Sequence, residues 1–327
     1  MKQDIIPSTK LKVTTVHKLQ DTSCWRYYYW RWIRNLEPRK MNLNFWYGSV
    51  LHRGFQTLLI TRSLSKALVA MSAESKRRMG RYIISNDDQQ ECSLQLRLIQ
   101  TIIKTTAMQP FFKYLTMDWA EKQFKTCLVD NTLFCSTLDG WGKCRGKPVM
   151  YEIKTAKSVT NNYFTALGMD AQIHGYGVQM KRSKLSFTPL VAYCVFRKSS
   201  KWIKKGQPAD AFIEEIQRDI LKRPEWYFIV DSANRTFPFT LTMGANTLRD
   251  TEADIITMTK LLGARYNVPE KTLLNPEYWP KNCKHCLNYG ACQFLPLCRN
   301  IRQHEVYMRL YNQREMMYEE EELELKG

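Results

Sequence analysis

Residues 133–157 read LFCSTLDGWGKCRGKPVMYEIKTAK, and their pattern decides the fold. Residues 133–143 are rich in Leu, Phe, Thr and Trp, and residues 149–155 alternate and favour β structure. Arg145-Gly146-Lys147-Pro148 between them is turn chemistry. The segment predicts a hairpin. Counting outward from the turn puts Lys154 opposite Asp139, with Glu152 two residues along. Side chains two apart in a strand share a face, and cross-strand partners lie roughly 5 Å apart. Asp139, Glu152 and Lys154 are therefore expected on one face. Two carboxylates at short range repel unless a cation or a proton sits between them. Mg²⁺ or Mn²⁺, which prefer oxygen ligands, would supply that charge, and the lysine would orient a water or hold a phosphate. The plainer alternative makes Asp139-Gly140 a turn and Glu152 and Lys154 a solvated face.

Helical and strand patterns surround this hairpin. Residues 44–72 carry an apolar stripe through Val50, Leu51, Phe55, Leu58 and Leu59, with His52 beside it as a ligand or a structural histidine. Residues 74–90 read as a loop and 91–116 as a helix. A strand over 119–129 carries Glu121, a site residue or a surface charge. A helix capped by Thr160 or Asn161 is predicted to run to about residue 180 and to place Gln172 and Tyr176, four apart, on one face. Further strands are expected at 185–196, 226–230 and 236–242, with helices at 209–222 and 245–263. The basic run RKSSKWIKKGQP, residues 197–208, reads as a loop. The aromatic run from Trp25 to Trp32 suits a buried helix or a surface for stacking single-stranded bases.

Near the end, residues 282–298 read NCKHCLNYGACQFLPLC, placing Cys283, Cys286, Cys292 and Cys298 at a spacing that binds Zn²⁺ or an iron–sulfur cluster. A local reading uses all four. Residues 301–327 are expected to form a helical, Glu-rich tail.

Asp139, then a dozen residues, then Glu152-Ile153-Lys154-Thr155 resembles the PD-(D/E)XK nuclease signature in its RecB-type form. That form adds an upstream helical His, matched by His52, and a Gln-x-x-x-Tyr helix, matched by Gln172 and Tyr176. It often carries a Glu before the hairpin, the place of Glu121. The resemblance implies an α/β fold with a restriction-endonuclease-like core, a central mixed sheet flanked by helices. It implies Mg²⁺ or Mn²⁺ held by His52, Asp139, Glu152 and the Ile153 carbonyl, with Lys154, Gln172 and Tyr176 in catalysis. AddB-type and CRISPR-associated iron–sulfur exonucleases have one Cys before the nuclease motifs and Cys-x2-Cys-x5-Cys after them. Cys24, Cys283, Cys286 and Cys292 are similar to that pattern, which leaves Cys298 spare and implies a [4Fe–4S] staple between the chain's two ends. The expected layout is an iron–sulfur nuclease domain over 1–300 (a helical segment over 1–117, a catalytic core over 118–242, a helix and cysteines over 243–300) followed by the tail.

The implied function is a metal-dependent DNA nuclease, an exonuclease on single-stranded ends, working in recombination, replication, repair or CRISPR adaptation with a separate helicase or recombination protein. No P-loop of the form G-x4-G-K-[ST] occurs in the chain. The alternatives are a catalytically silent nuclease fold that binds DNA and a Zn-dependent nucleic-acid-binding protein.

Composition agrees. The 327 residues carry a net charge of +18 while 318–327 hold five Glu and one Lys, leaving about +22 on the rest. Such a body attracts polyanions, nucleic acid first. No apolar run is long enough to cross a membrane, and MKQDIIPSTKLK lacks the apolar core of a signal peptide. Ten cysteines without an export signal imply reduced thiols or metal ligands and a cytoplasmic setting.

Overall fold

The structure is a computed structural model that describes residues 10–129, 132–183, 188–229, 237–286 and 291–316. Eight strands and thirteen α-helices occur among these residues, with short 3₁₀ and π turns. The strands are β1 (Val13–Thr14), β2 (Leu36–Pro38), β3 (Leu115–Val129), β4 (Thr132–Cys144), β5 (Lys147–Ala156), β6 (Leu190–Arg197), β7 (Phe239–Thr242) and β8 (Tyr311–Gln313). The helices are α1 (Val16–Asp21), α2 (Trp25–Tyr28), α3 (Leu43–Thr61), α4 (Leu64–Met79), α5 (Asn86–Ala107), α6 (Asn161–Gly168), α7 (Ala171–Arg182), α8 (Ala209–Lys222), α9 (Pro224–Tyr227), α10 (Ala245–Tyr266), α11 (Glu270–Leu273), α12 (Leu295–Arg299) and α13 (His304–Met308).

The central sheet is mixed, in the order β1-β4-β5-β6-β7, with β3 also paired to β4. Antiparallel β3, β4 and β5 form a meander. β5 and β6 are parallel because the chain crosses over through α6 and α7 between them. Alternation along β5 separates two cores. Val149, Tyr151 and Ile153 face α3, α5 and α8, whereas Met150 and Ala156 join Ile173, Tyr176 and Val178 of α7 on the other face. The α/β class with helices flanking a mixed sheet is thus as the resemblance implies.

The turn of the hairpin differs from the count made on sequence. Cys144 pairs with Lys147, so Arg145 and Gly146 alone make the turn, both at positive φ (52° and 76°) as a tight hairpin requires. Gly140 pairs with Tyr151. Asp139 is therefore level with Glu152 rather than Lys154. The two-residue offset preserves side-chain parity, and so the shared face survives it.

Other elements also depart from the pattern. The helical pattern over 44–72 breaks at Arg62 and Ser63 into α3 and α4, and residues 74–79 and 86–90, read as loop, belong to α4 and to α5, whose N-cap Ser85 accepts from the Asp88 N–H. The long helix after the hairpin breaks at Met169 and Asp170 into α6 and α7, with Asp170 capping the second. The strand expected at 226–230 is the short helix α9 followed by a bridge from Phe228 to Phe196. Pro224 opens that helix, where its missing N–H is harmless. The helical tail is helical only at α13 and the 3₁₀ turn before it. Residues 311–313 form β8, antiparallel to β2, with Tyr311 buried. The acidic residues 317–327 lie outside the described residues, as do 1–9 of the N-terminal stretch.

A third core ties the ends together. Tyr28, Tyr29, Trp30, Trp32 and Ile33 are buried with Leu262, Tyr266, Trp279, Phe294 and Leu297. The core reading therefore holds for Tyr28, Tyr29, Trp30 and Trp32, whose rings are buried, while Trp25 and Tyr27 are half-buried against the same core. No helix among the described residues is long and apolar enough to cross a membrane.

Candidate active site

The site forms where the sheet splits. The β4–β5 ladder runs from the turn to Gly140↔Tyr151 and stops. Beyond it β4 pairs with β3 and β1, and β5 pairs with β6. At that point a carboxylate replaces the missing ladder bond, for the Ile153 N–H donates to Asp139 Oδ2 at 2.8 Å. The opening admits side chains from both helical layers.

From one side comes α3. Gln56 donates to the Asp139 carbonyl at 2.9 Å, and His52 Nδ1 lies 3.7 Å from Asp139 Oδ2. Burial lowers the His52 pKa, against the opposing pull of Glu152 and a bond to the Ile153 backbone, so the ring is neutral near pH 7. From the other side comes α7. Lys154 Nζ meets Glu152 Oε1 at 2.6 Å, Asp170 Oδ2 at 3.2 Å and Gln172 Oε1 at 3.3 Å. Gln172 Nε2 donates to the Tyr176 hydroxyl at 2.5 Å.

Asp170 does two jobs. Its Oδ1 caps α7 by accepting from the Gln172 N–H at 2.9 Å, and its Oδ2 binds Lys154. Sequence reasoning missed it. Its signal was an Asp between a helix-weakening glycine and a Gln-x-x-x-Tyr helix, which is cap chemistry. Gln56 and Arg53, each within four residues of His52 on α3, were likewise not singled out.

Glu121 belongs to this site. It adopts a left-handed conformation, φ 49°, between the pairs Ala120↔Gly140 and Lys122↔Leu138. Such a backbone costs a non-glycine residue about 1 kcal/mol or more. Its carboxylate acts on both His52 and Asp139. With His52 it lines a cavity of about 680 Å³ between α3 and α4, walled by Arg53, Arg77 and Arg78. Glu74 pairs with both Arg77 and Arg78, whereas exposed Arg53 has no ion pair among the described residues.

The electrostatics are unbalanced. One ammonium, Lys154, faces the carboxyl groups of Asp139, Glu152 and Asp170. Glu152 is 2% exposed, and its Oε2 is buried with no hydrogen-bond partner. Burial pushes the pKa values of Asp139 and Glu152 up, and the Asp139 charge adds to the rise at Glu152. Burial opposes the Lys154 charge, but Glu152 and Asp170 outweigh it and raise its pKa.

Cys24 also meets the segment that carries the C-terminal cysteines. The Asn282 N–H lies 3.4 Å from Cys24 Sγ, and Asn282 Nδ2 donates to the Ser23 carbonyl at 3.1 Å. Arg26 is held from both its backbone and its side chain by the Pro280 and Trp279 carbonyls. Burial and then the neighbouring Cys24 and Cys283 push the Cys286 thiol up. Burial, with Cys286 and Cys24, does the same at Cys292. Cys298 on α12 is pushed up to about 11, chiefly by burial, with smaller effects of Cys292 and Cys24. Cys24 thus acts electrostatically on Cys286, Cys292 and Cys298 alike.

Neither place is a finished cage. No group of three or more His, Cys, Asp or Glu side chains among the described residues stands assembled to hold an ion. In the sheet opening the reason is visible, since Lys154 takes Glu152 Oε1 and the Ile153 N–H takes Asp139 Oδ2. The donor types fit the metals that the resemblance implies: oxygen and imidazole in the opening, thiols at the junction. No family model matches the chain, and no curated protein matches it.

Proposed function

We propose that this protein is a Mg²⁺- or Mn²⁺-dependent DNA nuclease whose active site is the opening between β4 and β5. The observation that carries the reading is the buried, unpartnered Oε2 of Glu152 in a site where one ammonium faces three carboxyl groups. A buried carboxylate oxygen without a partner is unstable unless a proton or a cation completes it. His52, Asp139, Glu152 and the Ile153 carbonyl are the groups that would hold the ion. Bound there, it supplies Lewis-acid polarisation of a phosphoryl oxygen and a water of lowered pKa. Lys154 orients the attacking water and offsets negative charge as it develops. Gln172, held by Lys154 and Tyr176, positions the scissile backbone. Arg53, which has no ion pair among the described residues, gives the adjoining cavity a cation for a phosphate.

The substrate this reading favours is a single-stranded end, with a separate helicase or recombination protein to expose it. End-labelled single and double strands incubated with Mg²⁺ or Mn²⁺ test it. Loss of label from single strands, stopped by a chelator, is expected. No cleavage of either substrate with either metal would overturn it.

The cysteine junction, on the same reading, holds a [4Fe–4S] cluster on Cys24, Cys283, Cys286 and Cys292, with Zn²⁺ as the alternative metal. Its support is the 3.4 Å approach of the Asn282 N–H to Cys24 Sγ, which brings Cys24 against the segment that carries Cys283 and Cys286; the ligand set itself is the one the resemblance implies. Anaerobic purification followed by iron and zinc analysis distinguishes the two metals.

A further inference from the structure

The three most exposed large apolar side chains among the described residues are Trp202 at 78%, Met169 at 76% and Phe45 at 71%. A scattered exposed apolar residue is ordinary, but these three adjoin one place. Phe45 follows Asn44, whose Oδ1 accepts from Lys198 Nζ at 2.7 Å. The Lys198 N–H in turn bonds the Ala156 carbonyl, two residues beyond Lys154 on β5. Met169 precedes Asp170, which binds Lys154. Trp202 lies four residues past Lys198, in the loop between β6 and α8. Each of the three thus lies within four residues, along the chain, of a residue at the carboxyl-end rim of the parallel pair β5–β6, where open α/β sheets take their ligands.

The loop is fixed at its base and bare at its tip. Lys201 Nζ binds Glu215 at 2.8 Å and approaches Asp219 at 3.7 Å. The Lys204 N–H donates to Gln207 Oε1 at 3.0 Å, and Gln207 Nε2 donates to Glu215 at 3.2 Å. Lys204 and Lys205 stay exposed, with no ion pair among the described residues. Of the nine tryptophans, Trp202 alone is exposed. An indole in water beside exposed ammonium groups matches a nucleobase on its phosphate backbone, since the base stacks on the ring and the lysines meet the charge. Bases in a duplex are already stacked on one another, so the match is to a single strand.

We propose that this rim is a stacking platform for single-stranded nucleic acid, with Trp202 as the main base contact, Phe45 as a second, and Lys204 and Lys205 on the phosphates. The proposal rests on the reading of a single strand as substrate, and it names where that strand is held. The test is fluorescence titration of the full-length protein with oligodeoxythymidine in chelator, where no cleavage interferes. Trp202→Ala should remove most of the emission quench and weaken binding about tenfold, while Trp202→Phe retains most of the affinity. An abasic strand of equal length, with phosphates but no bases, should bind Trp202→Ala and the unaltered protein alike. Lys204→Ala with Lys205→Ala should weaken both strands. Unchanged affinity in Trp202→Ala, or an equal loss on the abasic strand, would overturn the platform. If Trp202 matters for binding but no metal-dependent cleavage occurs, the nuclease reading alone fails. If cleavage depends on Glu152 but binding ignores Trp202, the platform alone fails.

Discussion

The opening between β4 and β5 and the cysteine junction between α2 and α12 both gather groups that a cation would hold, yet they are built in opposite ways. The opening is assembled from a tight hairpin, and protein groups already answer most of its charge: Lys154 for Glu152, the Ile153 N–H for Asp139, Gln172 for Lys154. The junction is assembled across the length of the chain by an aromatic core, and the charges that act on its Cys286 thiol from the cationic side are those of Lys281 and Arg299. Hence the first should tolerate loss of its ion, since its scaffold closes without one. The second should not, because metal affinity becomes folding energy where ligands are far apart in sequence.

The largest effect expected on either side of this contrast is catalytic. Glu152→Ala or Asp139→Ala should lower cleavage about a thousandfold or more, with DNA affinity and melting temperature close to those of the unaltered protein. Full activity in Glu152→Ala would remove the opening as the active site. A collapsed fold in both variants would show that the opening is not self-supporting, and the contrast would go with it.

The junction should behave in the reverse sense. Cys24→Ser should lose the bound metal and melt several degrees lower, as Cys283→Ser, Cys286→Ser or Cys292→Ser would. Cys298→Ser should keep both, since the ligand set that the resemblance implies leaves Cys298 spare. Metal analysis and thermal melting read the difference. A metal-loaded Cys24→Ser beside a metal-free Cys298→Ser would make the site local and remove the link between the chain ends.

How much of this was legible in the sequence follows the same division. The hairpin, the parity that groups Asp139, Glu152 and Lys154, and the helix carrying Gln172 and Tyr176 are local, so period and turn chemistry revealed them. The register was misread by two because the turn uses Arg145 and Gly146 alone, and sequence does not say that Arg145 will accept positive φ. Asp170 was missed because a cap residue is recognised only once the helix break is placed. The left-handed Glu121 and the early end of the β4–β5 ladder depend on tertiary packing and leave no local trace. β8 was read as helix because the pairing that makes it a strand is to residues 36–38, far away in the chain.

A smaller effect tests whether Lys154 answers Glu152. Lys154→Ala leaves a buried carboxylate with an unmet charge, which costs a few kcal/mol in a fully buried pair and about 2 kcal/mol here, since Lys154 is partly exposed. The loss should be larger at alkaline than at acid pH, because at acid pH Glu152 takes a proton and needs no partner. Adding Glu152→Gln should restore most of the stability. Equal destabilisation of the single and double variants in chemical denaturation would show that Lys154 acts by packing alone.

The smallest effect concerns the ion itself. Asp139 and Glu152 hold their protons more tightly in the folded protein than in the unfolded chain, where carboxyls titrate at about 4. The folded state therefore binds more protons over that range, and the stability of the metal-free protein falls as pH rises from about 4 toward mildly alkaline values. The penalty is absent below the unfolded pKa and complete above the raised folded ones. A divalent ion competes with those protons, so its binding strengthens as pH rises, where the penalty it relieves is greatest. Mn²⁺ at a tenfold excess over Kd should raise the melting temperature by a few degrees at alkaline pH, consistent with the roughly 1.4 kcal/mol expected at that excess, and by much less at acid pH. The shift should vanish in Glu152→Ala. Cys24→Ser, compared with itself, should still show it, because the opening does not depend on the junction. A shift that is the same at both pH values, or that persists without Glu152, would place Mn²⁺ elsewhere on the protein.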